Sequence, residues 1–168
     1  MGLTLLSGAA TLAGMTLADL EAQQALLVVG SDLRQEVPIA AHRVRKAAVA
    51  GADVFFVNPG NYEYLFPVAG YLDTTSSSII DELAGLVLAA FARTETQPDA
   101  NLAEVLAAAE VRPEHEAAVA KLIAAERATV LLGLIAGRHP GYSRIRMLAA
   151  ALAAATAAAG SARSVDIL

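Results

Sequence analysis

ALLVVGSDLRQEVPIAAHRVRKAAVAGADVFFVNP, residues 25–59, is the stretch whose reading decides the fold. Residues 25–29 form a short apolar run closed by Gly30, and residues 54–57 form a second closed by Asn58, Pro59 and Gly60; both read as strands buried on two faces. Between them the punctuation is helical. Pro38 suits a first helical turn, where a missing N–H costs nothing, and Gly51 suits the left-handed residue just past a helix end. At 3.6 residues per turn, Ala40, Ala41, Val44, Ala47 and Ala48 share one face while His42, Arg43, Arg45 and Lys46 share the other. Strand, helix and strand in this order make a βαβ unit with parallel pairing.

Outward from this unit, NPGNYEYLF carries turn residues together with Tyr and Phe rings able to seal an edge of the core. Ser76, Ser77 and Ser78 then offer a helix start, with Asp81 at capping-box spacing from Ser78 and Glu82 beside it; this helix is expected to run to about Ala92. Residues 94–99 are polar with Pro98 and read as a linker or surface loop. Two shorter helices are expected next, one capped by Asn101 and one started by Pro113 with Glu114 and Glu116 near its N-terminus. Residues 129–132 read as a further buried strand closed by Gly133, and residues 142–159 as a last helix stopped by Gly160. A fourth strand is expected near Leu3 to Leu6, and the tail SARSVDIL reads as the start of another strand or a linker. The fold class is therefore α/β, a three-layer sandwich whose mostly parallel sheet is flanked by helices, in one domain over residues 1–168.

Composition narrows the function. The chain has no Cys, which excludes thiolate-ligated iron–sulfur clusters, Cys-type zinc sites and cysteine redox chemistry within these residues. A net charge of -5 argues against nucleic acid as the main partner. The apolar fraction of 56% comes largely from alanine, and the longest uncharged stretches fall short of the ~20 apolar residues a bilayer span needs. The protein is expected to be soluble. The N-terminal segment MGLTLLSGAATLAGM lacks the basic start of a secretory signal and reads as cut from a longer polypeptide.

Gly30, Arg34, Glu36, Pro38, Arg43, Arg45, Lys46, Gly51, Asn58 and Pro59 form an ordered set that resembles the largest iron–sulfur subunit of respiratory NADH:quinone oxidoreductase (complex I), in its molybdopterin oxidoreductase-like region. FPVAG at residues 66–70 and ATVLLG at residues 128–133 continue the resemblance more weakly. It implies a Rossmann-like sheet and a fragment that acts as scaffold, supporting electron transfer from NADH to quinone without carrying a redox centre. It implies iron–sulfur clusters elsewhere in the parent subunit and no cofactor in these residues. Other domains of that subunit and other peripheral-arm subunits would be the partners, on the cytoplasmic side of a bacterial inner membrane. Arg34, Glu36, Arg43, Arg45 and Lys46 would supply interface contacts.

In a doubly wound sheet, ligands bind outside the carboxyl ends of the strands, where Gly30, Ser31, Asp32, Asn58 and His139 would gather. The dinucleotide fingerprint fails there, because Gly30 is followed by SDLRQEV rather than by further glycines. In molybdopterin-binding relatives Asn usually stands where this chain has Asp32, whose carboxylate would repel a pyrophosphate. The crevice thus reads as a vestigial cofactor site. The alternative function is a stand-alone nucleotide- or small-molecule-binding protein using this same crevice. Arg34 and Glu36 read as an exposed or ion-paired couple in the loop. His42, His115 and His139 show no metal spacing and read as surface or turn residues, and no nucleophile elbow surrounds Ser31.

Overall fold

The computed structural model describes residues 15–157 and 162–168. A 3-10 turn at Asp19–Ala22 precedes β1 (Ala25–Val29), α1 (Leu33–Glu36), α2 (Pro38–Val49), β2 (Asp53–Asn58), β3 (Gly70–Asp73), α3 (Ile79–Thr94) and α4 (Ala100–Leu106). There follow α5 (Pro113–Ala124), β4 (Arg127–Leu132), α6 (Leu134–Gly137), α7 (Tyr142–Thr156) and β5 (Ala162–Ile167). The strands pair in the order β3-β2-β1-β4-β5, every pair parallel. β1 is therefore central. The chain leaves it in one direction through β2 and β3 and in the other through β4 and β5, so the topological switch lies between β1 and β4.

All five residues of β1 are buried because both faces of the sheet are covered. Leu27, Val29, Phe55, Val57, Val130 and Leu132 point into one core with α3, α5 and α7, while Leu26, Val28, Val54, Phe56 and Leu131 point into a second core with α2. This alternation is the period-2 geometry of a strand, and it makes the three-layer α/β sandwich. α2 buries Ala40, Ala41, Val44, Ala47 and Ala48, the face its spacing predicts. It starts at Pro38 after a non-helical Val37 at φ -140 and ψ 78, and it ends in a Schellman turn, with Gly51 at φ +105, Gly51 N–H on Ala48 O and Ala52 N–H on Ala47 O, both at 3.0 Å.

Several local expectations change. Ser78 is the N-cap residue of α3 but makes no capping hydrogen bond; its hydroxyl bonds Thr75 Oγ1 at 2.8 Å instead, so the capping box with Asp81 does not form. Asp99, not Asn101, caps α4, accepting from Leu102 N at 2.8 Å. α7 ends at Thr156, capped by Ala157, rather than running to residue 159. β3 is an addition to the expected strands, only four residues that pair with β2 from Phe55↔Gly70 to Asn58↔Asp73. The tail does form a strand, β5, paired with β4 from Arg127↔Ala162. The strand expected at Leu3 to Leu6 and the stop at Gly160 lie outside the described residues.

Candidate functional site

The carboxyl ends of β1, β2 and β4 bring Gly30, Ser31, Asp32 and Asn58 together beside Gly133 and α6, as their positions in the sequence imply. What they build is a closed knot. Asn58 is 2% exposed. Its Oδ1 accepts from Ser31 N and its Nδ2 donates to Ser31 O, both at 2.9 Å, so the side chain pairs with a backbone amide as a strand would. Gly30 has φ +60, and an added Cβ would meet Ala136 N at 2.5 Å. Its carbonyl accepts from Ile135 N at 2.9 Å and from Ala136 N at 3.2 Å. Gly133 is pressed as closely from the other side, since a Cβ there would lie 2.2 Å from Ser31 Cβ. The loops after β1 and β4 therefore touch backbone to backbone across the switch point.

Glu36 completes this contact. Its Oε2 accepts from Ser31 Oγ and from Leu134 N–H, each at 2.8 Å, and its Oε1 accepts from Asp32 N–H at 3.0 Å. Short charge-assisted bonds of this kind are the strong ones. The carboxylate thus occupies the place, between loop N–H groups at the end of the sheet, where a bound anion sits in open α/β folds. Asp32 meanwhile caps α1, its Oδ1 accepting from Arg34 N at 3.3 Å. His139 stays apart, half-buried, with Nδ1 accepting from Gly141 N at 2.9 Å.

The residues read as interface contacts separate into two groups. Glu36 is held in the knot and makes no ion pair with Arg34. Arg43 and Lys46 both pair with Glu21 of the 3-10 turn, Lys46 at 2.5 Å. The Lys46 ammonium and then the Arg43 guanidinium hold the Glu21 carboxyl below its ordinary range. Arg34 and Arg45 carry no ion pair among the described residues. Arg34 Nη1 donates to Glu63 O at 3.1 Å and Arg45 Nε to Leu65 O at 3.2 Å, and both line a cavity of about 260 Å³ with Pro38, Ala41, His42, Leu65 and Phe66. A second cavity, about 300 Å³, is mainly apolar and lies against Leu20, Leu131 and Leu168.

His115 departs most from its expected place. It is 1% exposed rather than on the surface. Its Nδ1 accepts from Arg112 N at 3.1 Å, which closes the first turn of α5, and its Nε2 lies 3.0 Å from Glu82 Oε2 on α3. The tautomer with hydrogen on Nε2 satisfies both contacts. Glu82 also pairs with Arg112. Gly85 makes the room, because a Cβ there would lie 2.4 Å from His115 Cε1. Both ring nitrogens are engaged, so the cluster joins α3 to α5 and leaves no lone pair for chemistry. Among the described residues no group of three or more His, Asp and Glu side chains is placed to hold a metal ion, and no helix is long and apolar enough to cross a membrane.

Among solved structures the fold is similar to one chain of the formyltransferase/hydrolase complex (FhcABCD) from Methylorubrum extorquens, determined in complex with methylofuran. The TM-score is 0.54 at 14% identity, over 99% of this chain and 42% of that one, so this chain spans less than half of its neighbour's length. At that identity the likeness establishes the α/β fold alone. No family model matches the chain, and no curated protein matches it.

These findings correct the resemblance to the largest iron–sulfur subunit of complex I. The neighbour belongs to a different assembly, and with the resemblance go the NADH dehydrogenase, electron-transport and quinone associations and the peripheral-arm subunits expected as partners. The placement beside a bacterial inner membrane rested on the same resemblance and has no other support. The physical reason is visible in the structure. Gly30 is required by φ +60 and a backbone contact, Pro38 by the first turn of α2, Gly51 by φ +105, and Asn58 by its pairing with Ser31. These residues serve the geometry of a βαβ unit and are not the mark of one family.

Proposed function

We infer that this chain is a scaffold domain of a multisubunit assembly, holding no redox centre or cofactor itself. The observation that carries this reading is the Glu36 carboxylate at the topological switch, accepting from Ser31 Oγ, Asp32 N and Leu134 N. A pyrophosphate, whether of a dinucleotide or of a pterin–guanine dinucleotide cofactor, needs those same donors and space between the loops. Here the donors serve a protein carboxylate, Asp32 places a second carboxylate beside it, and Gly30 and Gly133 leave less room than one methyl group. These residues do not fit such a cofactor. The likeness in fold to a chain of a formyltransferase/hydrolase complex supports the assembly half of the reading.

The rival, a stand-alone nucleotide- or small-molecule-binding protein, uses the same loops and requires saturable binding at them. Calorimetric titration of the protein with pyrophosphate, GTP, NADH and FMN separates the two, together with thermal melts, since a ligand of the folded state must raise the melting temperature. No heat of binding and no shift is the expected result. Saturable micromolar binding that moves the amide resonances of Ser31 and Leu134 would overturn the scaffold reading.

A further inference from the structure

We propose that the cavity between the start of α2 and the loop before β3 is a docking site for an acidic protein segment, in which a partner's carboxylate lies between Arg34 and Arg45 and a neighbouring apolar side chain covers Leu65 and Phe66. The inference deepens the scaffold reading, since a domain of that kind acts through its contacts.

Charge is the first argument. In a chain of net charge -5, Arg34, His42 and Arg45 converge on one cavity whose lining, among the described residues, holds no carboxylate. Arg43 and Lys46, one helical face away, already have Glu21, so α2 divides its basic residues between an internal partner and an open site. Each guanidinium at the cavity is held by one backbone carbonyl, Glu63 O or Leu65 O, and keeps its other N–H groups for an incoming oxygen pair. Guanidinium fixed in this way binds carboxylate with less entropy lost than a free surface arginine.

The wall is equally prepared. Tyr64 stacks on Phe56 at 4.5 Å between ring centroids and at 5.0 Å from Phe66, and its hydroxyl accepts from Leu33 N at 3.3 Å. Burial pushes the Tyr64 phenol well above its ordinary pKa. Tyr71 adds a hydrogen bond to Tyr62 O at 2.9 Å. The loop is thereby pinned to β2, yet Leu65, at its centre, is 81% exposed. An aliphatic side chain held out from an otherwise anchored loop, beside two oriented arginines, presents apolar and cationic surface together.

The test is a ¹H–¹⁵N NMR titration of the whole chain with an acetylated, amidated hexapeptide of alternating glutamate and leucine, beside a second peptide with glutamine in place of glutamate. The expected result is saturable shifts at Arg34, His42, Arg45 and Leu65, at least about tenfold weaker binding of the glutamine peptide, and weakening by salt. The Arg34→Ala/Arg45→Ala variant should lose binding while Arg146→Ala retains it. Equal binding of both peptides, or undiminished binding by the double variant, would overturn the proposal, as would hexanoate binding as tightly as the peptide, which would mark a small-molecule site. The resonances of Ser31 and Leu134 report the crevice separately, so failure here leaves the scaffold reading standing and ligand binding there leaves this site standing.

Discussion

Glu36 and Leu134 are 98 residues apart in sequence, and the carboxylate of one accepts the backbone N–H of the other at 2.8 Å. That bond ties the loop after β1 to the loop after β4 at the place in the sheet where strand order reverses. Its consequences for stability and for the neighbouring glycines can be measured.

Glu36→Ala removes the acceptor for three donors at once and leaves Ser31 Oγ, Asp32 N and Leu134 N to find water. Charge-assisted bonds and the cost of orphaned donors together predict a loss of about 2 kcal/mol, read as a lower urea midpoint at unchanged slope. Glu36→Gln, which keeps an acceptor oxygen, should lose less. A Glu36→Ala midpoint equal to the wild type would mean the knot is not structural.

Three glycines near this knot should rank in a definite order. Gly30→Ala combines a left-handed φ with a 2.5 Å approach to Ala136 N, and Gly133→Ala drives a methyl group against Ser31; each predicts a loss of about 2–4 kcal/mol. Gly137→Ala meets nothing within 4 Å and should be neutral or slightly stabilising. Equal midpoints for all three variants would contradict the backbone contact between the loops.

The fit of His115 against Gly85 is best tested by a double-mutant cycle. Gly85→Ala adds helix propensity to α3 but pushes into the imidazole and, at 2.7 Å, towards Glu110 O, so it should destabilise. In a His115→Ala background most of that clash is gone. The two changes should couple by about 1–2 kcal/mol in the relieving direction, and additivity would place the ring elsewhere.

Acid should weaken the tie between the 3-10 turn and α2. Lys46 and Arg43 hold the Glu21 carboxyl below its ordinary value of 4.5, so its folded pKa is the lower one. Its contribution to stability is then present above the unfolded pKa and lost as pH falls through the folded value. Wild type and Glu21→Gln should differ in melting temperature at neutral pH and low salt and converge in strong acid. A difference that persisted unchanged into acid would assign the effect to packing.

How legible these features are depends on how local their causes are. The helix from Pro38, its buried alanine face and its stop at Gly51 are all readable because each depends on residues within a few positions. β3 is not, since Gly70–Asp73 is a four-residue edge segment held by its pairing with β2 and by the burial of Leu72, both of which depend on residues distant in sequence. His115, flanked by Glu114 and Glu116, has the sequence context of a surface residue. Adjacent helical positions point in different directions, and Gly85 on another helix opens the space into which its ring turns. Arg34 and Glu36 read as a pair because they are two residues apart, but α1 turns one towards Glu63 and the other towards Leu134.

By itself the sequence determined a parallel α/β sandwich, because two apolar runs without alternation and a helix with caps at both ends leave few other ways to bury that surface. It also placed Gly30, Ser31, Asp32 and Asn58 at the carboxyl ends of the strands, though not Glu36, and it put His139 there where the structure keeps that ring in its own turn. Only the tertiary structure decided whether that end was open. The answer turns on Ser31, Glu36, Asn58 and Leu134, whose donors and acceptors become neighbours through strand order and loop contact, and no local pattern encodes whether a carboxylate from the chain or one from a ligand will satisfy them.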